Sequence, residues 1–260
     1  MPFIALITDW QQNDYYLGAL RGYIYSQLPD VHLIDINHGI ALHNIFQAAF
    51  TLRACFLEFP EGTVFIIGVK SDADGGNCYV CMKYLNRYII SSDNGFFSLF
   101  TEDKPDSVFS LTEKPTTFPE KDIFAKYACL ILKGETLLNL ATPVTDYKIV
   151  KNFFPIPEKS SITGTIIYID NYGNAITNIS KELFEKNRNK RPFIIYPGNN
   201  NYAIKKISDS YNENEDTELV ALFNSIGLLE IAIINASASQ LIKLDLKTNI
   251  RIQFYDTTNS

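Results

Sequence analysis

Several residue types that commonly carry chemistry are scarce in this 260-residue chain: three histidines, four cysteines, two methionines and one tryptophan. No GxxxxGK[ST] and no GxGxxG occurs, so a triphosphate cradle or a dinucleotide fingerprint is not supported. No serine nucleophile elbow is present. Positive charge is in deficit, with 23 Lys and Arg against 29 Asp and Glu, a formal net charge of −6. That argues against a nucleic-acid surface, which needs a basic stripe to neutralise phosphates. The one basic cluster, KNRNKRP at 186–192, reads as a solvated loop. No run approaches the ~18 apolar residues of a membrane span. The opening MPFIALITDW meets Asp9 too early for a signal-peptide core. Cys78 and Cys81 have CxxC spacing, yet CYVCMKY reads as a strand, which points residues three apart to opposite faces. With no second pair, neither a zinc site nor any other metal is expected, and His32, His38 and His43 lack ligand spacing. DADGGN at 72–77 has its glycine and terminal acid misplaced for a calcium loop. Reduced thiols and no leader predict a cytoplasmic protein without membrane or nucleic-acid partners.

What is present is a patterned, ordinary globular composition, 46% hydrophobic and 20% charged. PFIALIT, VHLIDIN and GTVFIIGV are buried-type strands. Between them lie DYYLGALRGYIYSQL, with Leu17, Leu20, Ile24 and Leu28 at helical spacing, and HNIFQAAFTLRACFLEF, closed by Pro60. This order predicts an α/β domain with a mainly parallel sheet. CYVCMKY and RYIISS read as a hairpin, DNGFFSLF as a turn opening a short helix, and KDIFAKYACLILKG as a helix ended by Gly134. From about residue 141 a proline-containing connector follows, ATPVTDYKIVKNFFPIPEKSS. Beyond a boundary near 155, short β-branched runs (SITGTIIYI, AITNI, RPFIIYP, NYAIKKI, TELVALFN, LLEIAII, NIRIQFY) predict a small all-β, barrel-like domain over 156–260. YNENEDTE at 211–218 reads as a mobile loop.

Two places invite a ligand. Parallel sheets bind beyond the carboxyl ends of their strands, where Asp9 follows the first strand and could hold the two vicinal hydroxyls of a ribose. The competing role, capping the next helix, suits Asp14 better. The second place is IDNYGNAITN at 169–178, a polar loop on an apolar strand, whose polar groups need partners or water.

The segments ITDWQQNDYYLGALRG, PDVHLIDINHGI, FPEGTVFIIGV, SSDNGFFSLF, TFPEKDIFAKYA, IDNYGNAITNI and NSIGLLEIAI stand in one fixed order along the chain. In this the sequence resembles the S-adenosylmethionine (SAM) hydroxide adenosyltransferase family, relatives of the SAM-dependent fluorinase and chlorinase. The resemblance implies an α/β N-terminal domain, a β-barrel C-terminal domain and a homotrimer with SAM at subunit interfaces. It implies SAM as substrate or ligand, with no separate cofactor. It assigns Asp9 to the ribose, Asp170 to the methionine amino group, and Tyr172 and Asn174 to the adenine. Ser225 and Glu230 fall in the segment that holds the rest of the ligand, where Ile226 replaces the fluorinase arginine.

Hydrolysis in that family attacks C5′ with water placed by an Asp–Arg–His triad, and here the chain departs from it. A gapless count puts Lys70 and Asn77 at the first two positions, and a slip of two or four residues would offer Asp72 or Asp74 instead. The histidine is Pro119, which cannot transfer a proton. The reading is therefore a SAM hydrolase forming adenosine and methionine with an altered catalytic set drawn from Lys70, Asn77 and Glu120. The alternative is a SAM- or adenosine-binding protein without turnover.

Overall fold

The computed structural model describes residues 2–11, 14–72, 79–151, 154–199 and 201–256. The chain divides into two compact units, Met1–Asn152 and Phe153–Ser260.

The first unit alternates as its hydrophobic periods require. β1 (Phe3–Thr8), α1 (Tyr15–Gln27), β2 (His32–Asn37), α2 (Ile45–Cys55) and β3 (Val64–Gly68) are followed by the hairpin β4 (Tyr79–Tyr84) and β5 (Arg87–Ser92). Then come α3 (Phe96–Phe100), β6 (Ser107–Ser110), a π-helical run Glu120–Ala125 leading into α4 (Lys126–Leu132), α5 (Leu137–Leu140) and β7 (Thr142–Pro143). The sheet order is β2-β1-β3-β5-β4-β6-β7. The β1–β2, β1–β3 and β3–β5 pairs are parallel, and the other three antiparallel. The sheet is thus mixed, because Leu85 and Asn86 both take positive φ (46° and 56°) and turn β4 straight back onto β5.

Period-two alternation divides the core between the two faces of the sheet. Ile4, Leu6, Val64 and Ile66 face one layer with Leu20, Ile24 and Phe124, while Ala5, Ile7, Phe65 and Ile67 face another with Leu52, Phe96 and Phe97. Burying each Val, Leu, Ile or Phe side chain among these contributes about 1.5–3 kcal/mol. The connector after β7 is held down. Val144, Tyr147 and Val150 pack on the second layer. Val150 lies so close to Gly95, at φ +99°, that a Cβ there would come within 2.2 Å of it.

The second unit contains β8 (Ile156–Pro157), β9 (Ser161–Ile169), β10 (Ala175–Ser180), α6 (Lys181–Arg188), β11 (Phe193–Pro197), β12 (Leu219–Phe223), β13 (Leu228–Ile233), α7 (Ala238–Leu241) and β14 (Asn249–Phe254). Six strands run β11-β14-β9-β10-β13-β12, with β8 beside β9, and every pair is antiparallel. This is a curled half-barrel. The expected strand NYAIKKI supplies only an isolated bridge, Ile204 to Ile195, and a second bridge joins Ser208 to Leu222 on β12. The basic cluster at 186–192 begins in the last turn of α6, where Lys186 and Arg188 suit the negative end of the helix dipole.

Candidate functional site

In the first unit, functional side chains gather where β1 and β3 end. Asp9 follows β1, is 6% exposed, and its amide donates to the Gly68 carbonyl at 3.3 Å. Its Oδ2 accepts from the His43 amide at 2.8 Å. Asp14 stands at the N-cap of α1 without a side-chain capping bond, so neither acid caps that helix. Thr8 Oγ1 lies 2.8 Å from His38 Nδ1, and His38 Nε2 lies 2.9 Å from Asp35. His38 is therefore a packed residue, and His32 stacks on Phe3.

Glu120 opens the π-helical run and is 5% exposed. Its Cγ would lie 2.9 Å and its Oε1 3.3 Å from a Cβ at Gly68, and Thr8 Cγ2 sits 3.2 Å from the same point. Glycine at 68 therefore makes room for this carboxyl against the strand end. Burial raises the Glu120 pKa to about 7, and the charges of Asp9 and Asp72 push the same way. Ser71, which lies near enough to favour the ionised form, offsets part of this. The Ser71 hydroxyl is itself buried without a hydrogen-bond partner of normal geometry.

The loop after β3 is fixed by a neighbouring strand end. Asn94 Nδ2 donates to the carbonyls of Val69 and Lys70, both at 3.0 Å, and Ser92 Oγ donates to that of Ser71 at 2.8 Å. Lys70 takes φ +50° and is partly buried at this turn. Asn77, Asp74 and Cys78 lie outside the described residues, as does most of the DADGGN stretch. Beside Asp9, Trp10 and Tyr16 meet Phe118 at ring-centroid distances of 5.5 and 5.0 Å, an aromatic wall that charge-centred reading of the sequence missed. Its signal was two aromatic segments, DWQQNDYY and TTFPEK, each adjoining a candidate acid.

In the second unit, the loop between β9 and β10 is organised around Asp170. Its Oδ1 accepts from the amides of Tyr172 and Asn174, both at 2.9 Å, and its Oδ2 from Asn174 Nδ2 at 3.1 Å. Much of what made this loop look like a ligand receiver is thus an Asx-type turn satisfying itself. Oδ2 keeps spare acceptor capacity. Gly173, at φ +82°, lies where a Cβ would come within 2.0 Å of Ser237 Oγ, locking the loop against the segment before α7.

Asp170, Tyr172 and Asn174 line a cleft of about 930 Å³ together with Tyr211 and residues 233–237. Tyr172 is 81% exposed, whereas Asn174 is buried. Ser225 is not part of the lining; it is exposed on the β12–β13 turn, which Asn224 Oδ1 holds by accepting from Ile226 and Leu228. Glu230 is 3% exposed and stands behind Tyr211, whose hydroxyl donates to Oε1, while Asn224 Nδ2 lies 3.4 Å from Oε2. Burial raises the Glu230 pKa, opposed by those two donors, and Asp170 adds to the rise. Tyr211 was missed because its segment, YNENEDTE, is so polar; instead of a simple solvated loop it forms a 3₁₀ turn, Tyr211–Glu213.

Among the described residues no helix is long and apolar enough to cross a membrane, and no group of three His, Cys, Asp or Glu could hold a metal ion.

The chain is similar along most of its length to proteins of known name. It is 28% identical over 97% of its length and 96% of the relative to an (R)-S-adenosyl-L-methionine hydrolase of Methanocaldococcus jannaschii. It is 23% identical over 71% of its length and 74% of the relative to a fluorinase of an Actinoplanes species. A crystal structure of an uncharacterized conserved protein from Thermotoga maritima superposes with a TM-score of 0.86 at 25% identity, covering 97% of this chain and all of that one. Residues 4–141 match the model of the SAM hydroxide adenosyltransferase N-terminal domain, and residues 164–251 that of its C-terminal domain. The chain belongs to the SAM hydroxide adenosyltransferase family.

Proposed function

We propose that the protein binds SAM and hydrolyses it to adenosine and methionine, with Glu120 as the proton acceptor. The observation that carries this reading is the buried Glu120 carboxyl, packed on Gly68 at the shared ends of β1 and β3 and poised near neutrality. Asp9 takes the ribose hydroxyls, Tyr172 and Asn174 the adenine, and Asp170 Oδ2 the amino group. Water attacks C5′ in line with the C5′–S bond. As the O–C5′ bond forms, sulfur leaves with the bonding electron pair as a neutral thioether, and Glu120 takes the water's proton. The sulfonium loses its charge in this step, so a dry site with few competing dipoles favours it. A base with a pKa near the working pH is well matched to such a transfer.

Lys70 remains a candidate for holding the attacking oxygen, and Asn77 stays a candidate from sequence position alone. Trimer formation follows from the same reading and is checked by light scattering.

One feature favours a second reading, binding without turnover: Pro119, the N-cap residue before Glu120, has no side-chain proton to exchange. A single assay separates the two. Purified protein is incubated with SAM and adenosine is followed by chromatography, with Asp9→Ala as control. Adenosine that appears with the parent and vanishes in the control supports hydrolysis. SAM binding by calorimetry with no adenosine supports the second reading, and no binding ends both.

A further inference from the structure

The cleft of the second unit has an unusual charge balance for a site that would hold an amino-acid tail. Its lining includes the carboxylates Asp170 and Asp216, the amides Asn174, Asn212, Asn214 and Asn235, and the phenol of Tyr211, but among the described residues no Lys, Arg or His. Behind Tyr211 lies a third acid, Glu230, close enough to Asp170 for the two to feel each other's charge. Asp216 is exposed, accepts from Asn235 Nδ2 at 2.7 Å and forms no salt bridge among the described residues. A zwitterionic tail placed here gains from its ammonium and loses from its carboxylate, which finds acids and no cation among the residues of this unit that line the cleft. A tail with an ammonium alone keeps the gain and avoids the loss.

We propose that this cleft selects a sulfonium nucleoside whose tail carries an amine and no carboxylate, with decarboxylated SAM as the representative ligand. The proposal rests on the sulfonium-nucleoside reading given above and changes the tail that its site prefers, SAM itself being the weaker ligand. If the same hydrolysis operates, water adds at C5′, the C5′–S bond breaks, and the products are adenosine, 3-(methylthio)propylamine and a proton. The amine tail meets Asp170 Oδ2 and Asp216. The adenine lies on Tyr172, whose exposed ring at the cleft margin offers a stacking face.

The test is calorimetry on the full chain with decarboxylated SAM, SAM and neutral 5′-methylthioadenosine, at low salt and at about 0.5 M salt. It is repeated on Asp216→Asn, a substitution that keeps an oxygen for Asn235 and lies at an exposed position. The expected result is binding of decarboxylated SAM at least about tenfold tighter than SAM at low salt. That margin shrinks at high salt and in Asp216→Asn. SAM bound as tightly as its decarboxylated form, or more tightly, overturns the proposal while leaving SAM hydrolysis intact. A margin indifferent to both salt and Asp216→Asn overturns the electrostatic cause and the proposal with it. Failure of all three nucleosides to bind removes the sulfonium-nucleoside reading itself, and this inference falls with it.

Discussion

Glu120 and Glu230 are both buried carboxylic acids, one in each unit, and their surroundings set them apart. Glu230 has a phenol and an amide turned toward it, which work against the effect of burial. Glu120 is packed on a glycine, near two other acids, and is moved up to about 7. Glu230 is raised by burial against the pull of its two donors. Glu120 is an acid–base group left responsive to pH. Burial raises both and donors oppose it in both; what differs is that Glu120 has two further acids near it and Glu230 one.

The strongest way to break this comparison is Glu120→Gln, which keeps the shape and removes the proton acceptor. Adenosine formation should fall by about 10²–10⁴, while SAM binding measured by calorimetry stays within a few-fold. In the parent, kcat/KM should rise with pH through about 7, and that limb should be missing from the variant's residual rate. A Glu120→Gln variant with parental rates would assign Glu120 to packing alone.

Next in size is Gly173→Ala. It would need a left-handed backbone and a Cβ 2.0 Å from Ser237 Oγ. The loss should be on the order of 1–3 kcal/mol, read as a lower midpoint in urea, with weaker nucleoside binding because the Asp170 turn must open. Unchanged stability would mean that the turn does not depend on this close approach.

The two glutamates also show what could be read before any coordinates. The α/β order, the β4–β5 hairpin and the family segments were legible, because helical and strand periods and fixed-order motifs are local properties. Glu120 was legible as a candidate through its place beside Pro119. Its contact with Gly68 was not, because it joins residues 52 positions apart through packing and leaves no local pattern. Asp170 was legible as the centre of a polar loop, but its oxygens turned inward on the loop's own amides. NYAIKKI had strand composition yet yields one bridge, since β-propensity without a continuous partner edge does not make a ladder. The helix α6 was hidden because its charged residues drew the eye to loop chemistry, although Ser180 caps it by accepting from Leu183.

The pH dependence of stability sharpens the contrast further. Glu120 binds its proton more tightly folded than unfolded, so between about pH 4.5 and 7 the folded chain holds more protons at this position. Its contribution to stability is full below the unfolded value and is lost as pH rises through the folded one, at most about 3 kcal/mol in all. Chemical denaturation of the parent and of Glu120→Gln from pH 4.5 to 8 should therefore show the parent losing stability relative to the variant as pH rises. A constant difference across that range would mean that Glu120 is ionised throughout.

The smallest effect separates the other acid. Tyr211→Phe removes one of the two donors to Glu230 and leaves the ring in place. A buried carboxylate short of a donor costs about 1–2 kcal/mol, measurable as a shift in the denaturation midpoint at pH 8. Because the phenol holds the Glu230 pKa down against burial and Asp170, its removal should raise that pKa further. The cost should accordingly be smaller at pH 5 than at pH 8, since protonation relieves the unpaired charge. Adding Glu230→Gln should remove most of this pH dependence, as no charge is then left to strand. Loss of the phenol would thus push Glu230 further in the direction in which burial already moves both acids.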